Sequence, residues 1–151
     1  MYVLTAATQF AIVFSGIFLW VGMLTGVWKY NQIRSSKLAR AHYYVDIAHR
    51  SSLLYAAACL ILAALSFFTV LSHAVALFCV IANIFFFAMS VFTYILHGLL
   101  QDTTNQFKQP HRLGKWLLPA WCMTLMMLAL ILIELAATFI LLCGTIAEFL
   151  S

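Results

Sequence analysis

The chain has 151 residues, of which 66% are hydrophobic and only 8% charged, and its formal net charge is +4. A soluble domain carries about 25% charged residues, so there is too little polar surface here to clothe a water-facing globule. This places the chain in the membrane class and excludes an ordinary soluble enzyme, and the small positive balance gives no reason to expect nucleic acid as a partner.

Four apolar runs follow one another, near 9–28, 52–71, 74–96 and 116–147. Each reaches the roughly 20 residues that a helix needs to cross about 30 Å of hydrocarbon. They are continuous rather than alternating, so helices are expected and not barrel strands. The predicted fold is an all-α, integral membrane four-helix bundle, one domain over 1–151. The first run carries GMLTG, with Gly22 and Gly26 at the spacing that lets helices approach closely, within the chain or between copies of it. The first long loop, about 29–51, holds Lys29, Arg34, Lys37, Arg40 and Arg50 but no Pro or Gly. The second helix is therefore expected to begin early, capped by Ser35 or Ser36, with ARAHYYVDIAHR already helical.

The third run ends in Tyr94 and His97, and the second long loop, about 97–115, contains Asp102, Lys108, Pro110, His111, Arg112, Gly114 and Lys115. All eight positive charges lie in these two loops, which four antiparallel spans place on one side. That side is expected to be the cytoplasm of a multi-pass protein in a bacterial inner membrane, with both termini and the turn at Ser72 and His73 outside. No basic residue precedes the first run, so a cleavable signal peptide is not expected. Cys59, Cys79, Cys122 and Cys143 stand singly within apolar runs and read as small fillers.

On a helix, His42, Asp46 and His49 stand at i, i+4 and i+7 and share a face. His97 and His111 join them from the other elements on the basic side. Imidazoles bind haem iron or another transition metal, and a carboxylate such as Asp46 can hold the second ring nitrogen of either His42 or His49. Arg40 and Arg50 either pair with a haem propionate or with Asp46, or snorkel to mark the inner face. Two polar groups lie in the outer half: Asn83 is roughly 21 Å from His97, and Glu134 roughly 27 Å from Trp116. They read either as glue between helices or as part of a polar path. Phe85, Phe86 and Phe87 either pack or support a flat cofactor or aromatic substrate.

The segment HRSSLLYA, from His49 to Ala56, resembles the start of the second helix in the four-span styrene oxide isomerases and related hydroxylaminobenzene mutases. Those proteins carry a histidine followed, after three variable and two mostly apolar residues, by Asn-Gly. The isomerases also carry a tyrosine on the third helix 45 residues after that histidine, which is where Tyr94 stands relative to His49. The tetrapeptide ARAH, ending at His42, also occurs in that isomerase and offers a competing register in which His42 takes the histidine's role. The resemblance covers about a third of the chain, and departs at Tyr55 and Ala56, which replace the family's Asn-Gly.

The resemblance implies a b-type haem on His49, near a subunit interface in a homo-oligomer, a trimer in that family. It implies isomerisation of a small lipophilic substrate such as an epoxide, with ferric iron as Lewis acid and Tyr94 and Tyr55 as hydrogen-bond donors. Two other classes remain open from the residues: a b-type electron carrier with iron between His49 and His97, and a non-catalytic subunit of a larger membrane complex without cofactor. The lipid bilayer is a partner in all three.

Overall fold

The computed structural model describes residues 4–151, and its architecture is four long helices, α1 (Ala6–Ser35), α2 (Tyr43–Phe67), α3 (His73–Leu100) and α4 (Ala120–Leu150). All four are long and apolar enough to cross a membrane. One small addition to the all-α expectation is a two-residue antiparallel ladder, β1 (Arg112–Leu113) with β2 (Trp116–Leu117), turned around Gly114 at φ +60°. Only a residue without Cβ adopts that backbone cheaply.

The early start expected for α2 does not occur. Helix α1 continues through the basic residues to Ser35, whose hydroxyl donates back to the Asn31 carbonyl at 3.0 Å, so it closes α1 rather than opening α2. Ser36 then takes the Leu38 amide on its own oxygen at 3.3 Å, and Ala39 turns left-handed at φ +50°. Such side-chain bonds offer the backbone an alternative to helix. His42 is the N-cap of α2: its Nδ1 accepts the Tyr44 amide at 3.3 Å, and its own amide donates to Gln32 Oε1 at 2.8 Å. His42, Asp46 and His49 therefore do not stack as a helical face, because the His42 side chain is turned back to close the helix end.

Helix α2 also stops earlier than its apolar run. Phe68–Ser72 form the connection to α3, and the Val70 amide donates to the Gly144 carbonyl of α4 at 3.3 Å. Small and hydroxylated residues join the helices, as they must where lipid competes for every apolar contact. Ser15 donates to the Ala56 carbonyl at 2.8 Å, the Thr8 and Ser66 hydroxyls lie 3.1 Å apart, and Thr145 donates to the Leu65 carbonyl at 3.0 Å. Gly22 and Gly26 face α2 of the same chain, under Leu53 and His49 respectively, so GMLTG serves helix packing within the bundle.

The core lies between α1, α2 and α3 around Phe18, Cys59, Leu62, Val80, Ile84 and Phe87. Helix α4 meets it only from Ala137 onward; its buried residues are Ala137, Leu141, Gly144 and Thr145. A Cβ on Gly144 would collide with the Thr69 hydroxyl and approach Leu71 Cγ to 2.6 Å. Gly144→Ala should therefore push α4 from its one firm contact and lower stability by about 1–3 kcal/mol, read as a lower midpoint of thermal unfolding in detergent.

Candidate functional site

The loose first half of α4 leaves a crevice against α3. Its outer part has a volume of about 210 Å³ and is lined by Tyr55, Tyr94, Ser90 and Thr93 among apolar residues of α3 and α4. An inner part of about 300 Å³ adjoins it, lined by His97, His111 and Cys122 among others, and the two share Met89, Thr93, Gln106, Met123 and Met126. On α3 the lining positions Phe86, Met89, Ser90, Thr93 and His97 recur every three or four residues, the spacing of one helix face. Tyr55 reaches this space from α2, its ring stacked on Phe87 with centroids 4.3 Å apart. The two tyrosines expected as donors thus open into one space.

The inner end is closed by the second loop. His97 Nδ1 donates to Asp102 Oδ1 at 2.7 Å, and the Gly114 amide donates to Asp102 Oδ2 at 2.5 Å. Both side chains of the pair are almost sealed, 4% and 7% exposed. Burial pushes the Asp102 carboxyl up, but the Gly114 amide and His97 outweigh it and hold the group below the usual carboxylate range. Tyr44, which sequence reasoning did not single out, packs its ring on His97 at 5.0 Å and on Tyr94 at 6.0 Å, while its hydroxyl accepts the Gln106 amide at 2.6 Å. His111 Nδ1 donates to the Gln106 carbonyl at 3.0 Å, and the Leu118 amide donates to the His111 carbonyl at 2.9 Å. Asp102 and Gln106 sit in a loop whose folding no local pattern announces, so only the lining spacing on α3 was open to sequence reading.

The histidines do not gather around one point. His49 sits in the α1–α2 seam, its Nδ1 donating to the Gly22 carbonyl at 2.8 Å and its ring lying over Gly26. His97 packs on Tyr44, at the opposite side of α2, so the pair His49 and His97 does not face a common space within the chain. Asp46 holds neither imidazole: it bonds Lys29 at 2.6 Å and Arg50 at 2.7 Å, pinning α1 to α2. That also occupies Arg50. Burial pushes the His42 imidazole below its ordinary value, against the pull of Asp102, which suits a ring that accepts a hydrogen bond at a helix cap. No group of three metal-ligating side chains converges among the described residues.

The outer polar pair is likewise rearranged. Asn83 donates to the Cys79 carbonyl at 2.9 Å and accepts the Thr138 hydroxyl at 3.0 Å, so its partner on α4 is Thr138 and not Glu134. Glu134 keeps one buried carboxyl oxygen without a partner. Asn83 is interhelical glue.

Because Asp102 titrates below its unfolded value, its contribution is complete above the ordinary value of 3.8 and lost as the pH falls through its lower folded value. The midpoint of thermal unfolding should therefore owe no decline to this group between pH 7 and about 4, and Asp102→Asn should remove the part of the acid-side decline that lies below that range. No protein-family model, characterised protein or solved structure matches the chain, so its function is argued from this geometry.

Proposed function

We propose that the chain is a multi-pass enzyme of a bacterial inner membrane, with both termini outside, that rearranges a small lipophilic molecule in the α3–α4 crevice. The observation that supports this is the crevice itself: two phenols, Tyr55 and Tyr94, in a mainly apolar space that also holds Ser90, Thr93 and Gln106, beside the half of α4 that does not reach the core. A solute dissolved in the bilayer can enter between α3 and α4 without crossing water. Inside, the phenols donate to an oxygen on which charge develops, and the apolar wall of Phe86, Met123 and Met127 keeps out water that would divert the product.

The resemblance to styrene oxide isomerases adds a b-type haem. His49 fits as its ligand: with Nδ1–H given to the Gly22 carbonyl, the neutral ring presents its lone pair on Nε2, the tautomer that second-shell acceptors fix at metal sites. Bound there, the iron would supply Lewis acidity. His49 and the two phenols lie on different sides of α2, so one iron in reach of both requires a second copy of the chain. A homo-oligomer, a trimer by resemblance, is part of this proposal.

The deciding measurement is the visible spectrum of detergent-purified protein from haem-supplemented cells, with and without dithionite. A Soret band that shifts with small oxygen ligands is expected. Its absence would remove the haem, while the crevice would still stand or fall on its own affinity for small ligands.

A further inference from the structure

The crevice holds a hydrogen-bond acceptor that the chain itself does not satisfy. Gln106 lines both halves, and its side-chain oxygen is buried without any hydrogen-bond partner. Its backbone is held on both sides, the amide by the Tyr44 hydroxyl at 2.6 Å and the carbonyl by His111 Nδ1 at 3.0 Å. The loop therefore fixes where this side chain starts. His111 and His97 each commit Nδ1–H elsewhere, to the Gln106 carbonyl and the Asp102 carboxylate, so neither of these N–H groups serves the Gln106 side chain. Among the hydroxyls nearby, Thr93 already donates to the Met89 carbonyl at 2.8 Å. A buried acceptor left without a donor is costly, so its complement belongs to the ligand.

We infer that the crevice binds a small aromatic or aliphatic molecule whose polar end carries an O–H or N–H, and that this donor bonds the Gln106 side-chain oxygen. An epoxide or ether, which can only accept, leaves that oxygen unpaired and binds less well. The inference rests on the reading of the crevice as the substrate site and narrows its substrate class. The apolar body lies along Phe86, Phe107 and the methionines, whose flexible thioethers accommodate varied shapes.

Three probes of nearly equal size test it: 4-ethylphenol, 4-ethylanisole and ethylbenzene, titrated into the full-length protein in detergent. Binding is read by calorimetry against protein-free micelles. The phenol should bind about tenfold tighter than the ether, the worth of one satisfied buried hydrogen bond. Gln106→Leu should erase that gap while leaving ether affinity within about twofold, and Gln106→Glu, which keeps an acceptor, should retain it. Equal affinities for phenol and ether in the parent protein would overturn the inference and leave the crevice a binding site. A gap that survives Gln106→Leu would equally overturn it, since the donor would then be held by another group. No binding of any probe would sink the crevice as a substrate site altogether.

Discussion

Asp102→Ala should unfold in detergent on the order of 10 °C below the parent protein, with the second loop protecting its amides far less from hydrogen exchange. Asp102 joins three successive pieces of the chain: the end of α3 through His97, its own loop, and the hairpin through the Gly114 amide. Its side chain is 7% exposed, so water cannot replace it at either bond. Removing one member of a buried, hydrogen-bonded pair costs about 3–5 kcal/mol, because the partners left behind stay desolvated. Asp102→Asn keeps one acceptor and should lose roughly half as much. The same substitution to Ala should also loosen Gln106 and His111, so affinity for the phenol probe should fall with it. An Asp102→Ala protein as stable as its parent would mean that the loop is held by something other than this carboxylate.

If His49 holds the proposed haem, His49→Ala should reduce bound haem by at least about tenfold while leaving the four helices intact by circular dichroism. Among the described residues, this imidazole is the one whose Nδ1 is fixed by a carbonyl of α1, and its neighbour is a glycine. Gly26→Ala offers a finer measurement. The added Cβ would stand 2.9 Å from His49 Cε1 and 3.0 Å from Nδ1, so the ring must turn and the bond to Gly22 must lengthen. The expected result is retained haem with an altered Soret position. His42→Ala should keep its haem, since that ring caps α2. Equal haem content in the His49→Ala and parent proteins would discard His49 as ligand and send the search to another side chain.

The four spans were legible because their cause is local: runs of apolar residues long enough to cross hydrocarbon need no tertiary information to be recognised. So was the placement of Tyr94 one helical turn from His97, and the close approach of Gly22 and Gly26 to a neighbour. The helix start at Tyr43 was not, because it depends on Ser36 and His42 choosing backbone partners over helix continuation. The absence of Pro and Gly from that stretch argued for a longer helix and was outweighed.

Composition and hydrophobic run length by themselves determined that this chain inhabits a membrane as four helices, since burial in lipid is decided residue by residue. Which polar groups meet was decided only by the fold. Lys29 and Arg50 claim Asp46, the Gly22 carbonyl claims His49, Thr138 claims Asn83, and Asp102 reaches back to His97. Each of those choices depends on the register and rotation of packed helices, quantities that a few ångströms of sliding would change and that no single segment of sequence contains.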